Sequence, residues 1–513
     1  MITRQGMSPN VIHRTSRQLR PVSNMAVQLF LWAIVLLTTR SMQGSDATPL
    51  DDYVNKPDPF YTWTTLNWKY RGPDFTLYVI NMTSQMWMSG VESRHPIWWH
   101  YLYVAVPDRI TRPEAGLLYI SYGGNGPNYI PDVDDEFISF ITLMAVSTGT
   151  VCANLRQVPN QPIVFNNDPS KTERSEDAII AWTWYQFISH NASAEWLIRL
   201  PMTKAAVRAM DTIAAFTKLL NPSVDINKFL VCGESKRGWT TWTTGAVDKR
   251  VVAIVPMVMD LLNLVQNLHH HYQALGGWTF AFDDYYKLNI TMELDNPNTQ
   301  RMADIVDPIT YKDRLTMPKY IITTGGDEFF LPDDSYYYLD QMLGDTYLRT
   351  IPNAEHSLTF HRPSLFLGVR AFYLSVLDAF PRPKITWTKN FTTTGGVLNM
   401  FTDTKPVEVN VYFAKTLDGR RRDFRLAVAD PNNPDSFLPH PVVWHKTTAE
   451  VKSENQYTAT FSNPETGWLV FHIQAFFTGP DESYFEFTTE NMIIPDRLPF
   501  PRCQGAECYG TLV

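Results

Sequence analysis

A serine stands in the run Val231-Cys-Gly-Glu-Ser-Lys-Arg-Gly-Trp239, with Gly233 before it and Gly238 after it. The run continues an apolar stretch of strand type, Phe229-Leu-Val-Cys232, and leads into a helical one, Thr240 to Val247. A serine on a sharp strand-to-helix turn needs small neighbours, because its backbone is strained and the helix begins at once. Such a turn aims the Ser235 hydroxyl out of the sheet's C-terminal edge. It also presents the Lys236 main-chain N–H, at a helix N-terminus, to a developing oxyanion. Glycine before serine is common in structural turns, so the pattern gains its weight from residues further along the chain.

An acid and a base come later in the order this turn requires. Tyr320-Ile-Ile-Thr-Thr-Gly-Gly-Asp327 supplies a strand, a glycine turn and a carboxylate, and Tyr347 to His356 supplies another strand and a loop histidine. In a catalytic triad, His356 takes the Ser235 proton while Asp327 fixes the imidazole tautomer and stabilises its charged form. Glu328 is the competing acid. Gly123-Gly-Asn-Gly126 comes after the strand-like Gly116 to Tyr122, where Gly124 or Asn125 is expected to give the second oxyanion N–H. His269-His-His271 invites a metal reading. Consecutive helical residues point in different directions, however, and no Glu or Cys lies at ligand spacing, so neither metal nor cofactor is expected.

The elements that must position these groups read as a large mixed protein. Tyr61 to Val106 is β-rich; helices are expected at Phe137–Val146, Ser175–Ile188 and Met202–Leu220, and strands at Thr150–Leu155, Phe229–Cys232, Val251–Met257 and Tyr320–Thr323. Strands alternating with helices imply a doubly wound, mostly parallel sheet, an α/β-hydrolase architecture. The aromatic-rich stretch 260–316 is too long for a simple crossover and reads as a helical cap within a domain spanning 46–382. After Pro381-Arg-Pro383 short strands separated by Pro, Asn and Gly turns predict a β-sandwich over 383–495, contributing no catalytic group.

Residues 1–45 read as a leader. A basic stretch without acids precedes the apolar Ala26 to Leu37, which is too short to span a bilayer but of signal-peptide length. Met25 is an alternative start to Met1, and no stable membrane span is expected. In a tail over 496–513, Cys503 and Cys508 are spaced for a small disulfide loop, while Cys152 and Cys232 sit in apolar runs as buried free thiols. Sequons at Asn81, Asn191, Asn289 and Asn390 fit export and glycosylation. A net charge of -8 excludes a nucleic-acid partner held by basic patches.

At the chemically informative residues the chain also resembles a known family. Gly233 to Trp242, Leu155-Arg-Gln-Val-Pro-Asn-Gln-Pro162, Asp327-Glu-Phe-Phe-Leu-Pro-Asp333 and Pro352-Asn-Ala-Glu-His-Ser357 are similar to strings of the PhoPQ-activated pathogenicity-related family, from about Asp51 to Ile494. That resemblance implies a hydrolase core with a C-terminal sandwich, in proteins described as secreted signals or virulence-linked more than as assayed enzymes. Arg237 stands where a small residue is usual in hydrolase elbows. In this respect the turn resembles glucuronoyl esterases, in which a basic residue comes directly after the nucleophile, so Lys236 would assist an oxyanion or a substrate carboxylate. Alternatively, Lys236 and Arg237 pair with carboxylates across the helix start. Two function classes result. One is a secreted serine hydrolase acting on a small-molecule ester, a glycan-linked ester or a peptide bond. The other is an extracellular signal that restrains proliferation through a cell-surface receptor.

Overall fold

The computed structural model of the protein describes residues 47–126 and 133–513; the leader read from the sequence lies outside them. A short helix, α1 (Pro49–Asn55), precedes three long antiparallel strands, β1 (Thr62–Gly72), β2 (Phe75–Met86) and β3 (Ile97–Pro107). The alternating part comes next: β4 (Ala115–Ile120), α2 (Glu136–Thr148), β5 (Val151–Leu155), α3 (Asp177–His190), α4 (Arg199–Leu220), β6 (Lys228–Glu234), α5 (Lys236–Val247) and β7 (Val251–Met257). After the helical insertion α6 (Leu264–Leu275), α7 (Asp283–Lys287) and α8 (Pro297–Val306) come β8 (Lys319–Thr324), β9 (Thr346–Ile351) and α9 (Arg362–Leu377).

The strands lie in the order β1-β2-β3-β5-β4-β6-β7-β8-β9. From β5 to β9 they are parallel, and β3 joins β5 antiparallel. Every residue of β4, β5 and β8 is buried, as parallel strands covered by helices on both faces must be. Because the chain moves outward from β4 to β5 and then returns to lay β6 on β4's other side, the winding reverses between β4 and β6. Open sheets of this kind bind ligands beyond the carboxyl ends of the strands at that reversal.

Local sequence explains several ends. The Asp135 carboxylate accepts the Phe137 and Ile138 N–H groups at the start of α2, and Gly149 closes the helix at φ 64°. The helix expected from Thr240 begins four residues earlier, at Lys236, because the turn at Ser235 leaves no loop between strand and helix.

From residue 385 to 494 the regular elements are strands: β10 (Ile385–Phe391), β11 (Gly395–Thr402), β12 (Glu408–Lys415), β13 (Ala427–Asp430), β14 (Asn433–Pro439), β15 (His445–Thr448), β16 (Glu450–Ser453), β17 (Gln456–Ser462), β18 (Leu469–Thr478), β19 (Tyr484–Thr488) and β20 (Met492–Ile494); a short 3-10 turn at Gly505–Tyr509 follows in the tail. One sheet runs β10-β11-β17-β16. The facing one, β19-β18-β12-β15 with β20 on β18, is hydrogen-bonded to the hydrolase sheet through Thr488 and Leu348. Leu398, Met400 and Ala459 meet Val411, Phe471 and Ile473 between the two sheets. The same apolar cluster takes in Tyr320, Tyr347 and Phe372 of the parallel part. Tyr347 and Phe487 stack at 4.3 Å.

Candidate active site

Ser235 sits between the end of β6 and the first turn of α5 at φ 55° and ψ -124°, a conformation that L residues adopt only under constraint. Its N–H is tied to the Met257 carbonyl at 2.9 Å. The flanking glycines are sterically required. A Cβ on Gly233 would stand 2.8 Å from the Arg237 carbonyl oxygen, and one on Gly238 would stand 2.8 Å from the Met259 Cβ. Gly238 thus comes one residue later than in most such turns because it is the point where α5 crosses the end of β7.

The acid and base arrive from β8 and β9. Both Asp327 oxygens lie 2.9 Å from His356 Nδ1, and Asp327 also accepts the Phe329 and Phe330 N–H groups at 2.8 and 3.2 Å. His356 Nε2 is buried without a hydrogen-bond partner. Its ring and Ser235 line one cleft, which encloses about 690 Å³ of space free of atoms. Burial pulls the imidazole's pKa down, but the adjoining Asp327 carboxylate outweighs this and raises it above 6.5. Glu328, the competing acid, turns away from the ring and accepts the main-chain N–H of His356 at 2.9 Å.

The Gly-rich loop behaves differently from expectation. The Asn125 N–H is spent on the Gln161 carbonyl at 2.6 Å, and its side chain is bound by Asn160 and Gln157. A donor already engaged cannot also hold an oxyanion, so Asn125 does not fill that role in this arrangement. Of this loop's start, Ser121 and Tyr122 line the cleft, and neither Gly124 nor Asn125 is among its walls. The Lys236 N–H, by contrast, stands at the first position of α5 beside Ser235, as expected.

The two cations after the serine pair with carboxylates. Lys236 Nζ lies 3.0 Å from both Glu176 and Asp177, and Arg237 lies 2.6 Å from Glu176 while donating to the Val158 carbonyl. Burial alone would raise the Glu176 pKa; Arg237 and Lys236 reverse this and hold it well below the usual carboxylate range. Glu176, Asp177 and the Val158 carbonyl together clamp the first turn of α5.

Sequence reasoning missed a second network at the cleft's other wall. Glu234, directly before the serine, accepts from the Tyr119 hydroxyl and pairs with Arg362, which also holds Glu136 at 2.7 Å and the Ser357 carbonyl at 3.2 Å. Glu234 was available in the elbow string, but nothing in the sequence connects it with Arg362, 128 residues away. The three consecutive histidines bond separate groups: His269 binds Asp295, His270 binds Asp333 and Arg422, and His271 accepts the Thr279 N–H. Cys503 and Cys508 form a disulfide, and Cys152 and Cys232 are free and buried, as read from the sequence. Asn81, Asn191, Asn289 and Asn390 are all exposed. No helix of the described residues is long and apolar enough to cross a membrane.

A doubly wound, mostly parallel sheet, a strained serine at the end of β6, an Asp–His pair after β8 and β9, and a helical insertion between β7 and β8 define an α/β-hydrolase fold. Residues 50–425 match the family described as PhoPQ-activated pathogenicity-related protein, and the chain belongs to that family. It is 37% identical over 497 residues to autocrine proliferation repressor protein A of Dictyostelium discoideum, covering 93% of this chain and 96% of that protein. Among solved structures it is similar to the acetyl xylan esterase of Paenibacillus sp. R4, at 12% identity and a TM-score of 0.43, covering 65% of this chain and 92% of that one. A glucuronoyl esterase of Solibacter usitatus matches at 13% identity and a TM-score of 0.36, covering 63% and 87% of the two chains. Likeness at these scores carries nothing about activity.

Proposed function

We propose that the protein is a secreted serine hydrolase acting on carboxylic esters, or on peptide bonds, with Ser235 as nucleophile, His356 as general base and Asp327 as its orienting acid. The observation that carries this reading is the His356 ring. Its Nδ1 is fixed by Asp327, and its Nε2 is left unpaired in the cleft that Ser235 lines. In the first step Ser235 Oγ bonds to the carbonyl carbon and its proton passes to His356 Nε2. The carbonyl oxygen's charge is met by the Lys236 N–H. The imidazolium then gives that proton to the departing alkoxide or amine as the carbon–heteroatom bond breaks. Water repeats the sequence on the acyl-enzyme, and the free acid leaves.

Export is supported by the leader-type sequence, the Cys503–Cys508 disulfide and four exposed sequon asparagines. Fluorophosphonate labelling of protein from culture medium tests the reading: the wild type reacts, and Ser235→Ala and His356→Ala do not. A wild type inert to fluorophosphonates and to activated esters ends it. A second reading, restraint of proliferation, is supported by the 37% identity to the Dictyostelium protein whose name describes it. Growth restraint retained by Ser235→Ala would make signalling independent of catalysis.

A further inference from the structure

Ser235 also lines a second chamber, bordered by the helical insertion and by Phe329 and Phe330, whose rings pack against His356; its atom-free space is about 640 Å³, counted together with the solvent at its open side. Most of its wall is apolar, with Leu261, Leu268, Trp278, Phe282 and Leu294 from the insertion. Among these residues is a cation. Arg199, near the start of α4, is 4% exposed and lines the chamber. One of its terminal nitrogens caps the Lys236 carbonyl at 3.0 Å, and the guanidinium lies 4.2 Å from the centre of the Trp239 ring. Its Nε is buried with no hydrogen-bond partner. Among the described residues no carboxylate lies within ion-pair distance of it. Asp177, which shares the chamber wall, is engaged by Lys236 at 3.0 Å and by the Tyr285 hydroxyl at 2.9 Å.

A buried cation without an ion-pair partner is costly, and burial depresses the Arg199 pKa to about 10, which still leaves it charged at neutral pH. Two further walls of the chamber carry unsatisfied polar atoms, Trp184 Nε1 and Thr291 Oγ1. The indole can only donate, and the hydroxyl can donate as well as accept. Lys236 also lines the chamber, but its charge is taken up by Asp177, so the wall is left with one net positive charge, on Arg199, and two neutral donors. In an apolar, aromatic room this suits a single negative charge on an apolar body, whereas a phosphate dianion would call for more positive charge.

We propose that this chamber binds an apolar group ending in a carboxylate, with Arg199 as its specificity residue, so that the preferred substrate is an ester carrying such a group on one side of the scissile bond. The substrate assignment rests on the hydrolase reading above; the binding assignment does not.

Two substrate pairs test it. Mono-p-nitrophenyl adipate against p-nitrophenyl heptanoate asks whether the chamber takes the acyl side; 4-(acetoxymethyl)benzoate against its methyl ester asks about the alcohol side. In one pair the wild type should favour the anion at least tenfold in kcat/KM, and Arg199→Met should bring that ratio close to one while Arg199→Lys keeps part of it. No preference in either pair, or a preference untouched in Arg199→Met, overturns the proposal. Thermal-shift titration with 4-ethylbenzoate against 4-ethylbenzyl alcohol needs no turnover and can be done on the wild type should the Met variant fail to fold. Selective stabilisation by the carboxylate without hydrolysis of any ester keeps the chamber assignment and removes the hydrolase reading. Hydrolysis of neutral esters with no carboxylate-selective shift does the reverse.

Discussion

Ser235 carries the strain on which the site depends. At φ 55° and ψ -124° a side chain of any kind is disfavoured, whereas glycine is not. Ser235→Ala should abolish fluorophosphonate labelling and lower esterase turnover by several orders of magnitude, with the melting temperature nearly unchanged. Ser235→Gly should be equally inactive yet more stable than the Ala variant, by about 1 kcal/mol after allowing for the more flexible unfolded chain. Equal melting temperatures for the two would mean that the turn is not strained. His356 makes a second, pH-dependent prediction. The base works in its neutral form, and Asp327 holds its pKa above 6.5 against the opposite pull of burial. Turnover of an activated ester should therefore rise with pH through a midpoint above 6.5. Asp327→Asn removes the raising influence, so the midpoint should fall below 6.5 and the rate by roughly 10⁴ at its plateau. Glu328→Gln should change little, since the amide oxygen still accepts the His356 N–H. A wild-type midpoint below 6.5 would contradict the pairing seen at Nδ1.

The first turn of α5 is an element held from outside. Glu176 engages both Lys236 and Arg237, each under 10% exposed at its side chain. Glu176→Ala leaves Arg237 without its carboxylate and should cost about 3 kcal/mol, read from the urea midpoint, with slower labelling at Ser235. Glu176→Gln should fall between this variant and the wild type. A loss below about 0.5 kcal/mol for the Ala variant would show that the clamp is dispensable. This element also shows where sequence reading stops. Gly233, Gly238 and the buried run before them mark a strand-turn-helix, because a glycine with no room for a Cβ and a strand buried on both faces each leave a local signature. Pairing of Lys236 and Arg237 with carboxylates was one of two readings the sequence offered, without saying which carboxylates. The partner of Arg237 is Glu176, 61 residues upstream, and a carboxylate in a polar stretch looks the same whether it meets water or a guanidinium. Asn125 shows a related limit: a Gly-Asn loop reads as a set of free donors until the loop after β5, through Gln161, takes one of them. Arg199 had no signature at all, since in a helix sequence a buried cation and a surface one are the same letter.

At the scale of the whole molecule the sandwich reaches the loop that carries Asp327, the proposed acid. Strands after residue 383 were legible where one face is buried, as in β10 and β11, but the edge a sheet chooses to pair with is not encoded in any single strand. That edge is β9, the strand that leads to His356. From the same side, Trp444 lies over the loop before Asp327: a Cβ on Gly325 would stand 2.6 Å from its ring, and its indole N–H reaches the Gly325 carbonyl at 3.2 Å. Asn353 and Trp444 exchange hydrogen bonds of 2.8 and 3.0 Å, and the Leu426 N–H holds the Gly326 carbonyl at 3.0 Å. The sandwich thus fixes the loops that carry Asp327 and His356. A chain ended near residue 383 would uncover the β9 edge together with Tyr347 and Tyr320, and it should aggregate rather than survive as an active core. A finer test separates support of the acid loop from general stability. Trp444→Ala should cost about 3–5 kcal/mol and also slow fluorophosphonate labelling severalfold under conditions where the variant remains folded, because Asp327 loses the wall behind its turn. Tyr457→Ala, a large-to-small change between the sandwich sheets, should lose stability of similar size with labelling unchanged per folded molecule. If both variants label at the wild-type rate once corrected for the folded fraction, Trp444 serves only the core. If both slow equally, the loss is global and the acid loop has no special dependence on it.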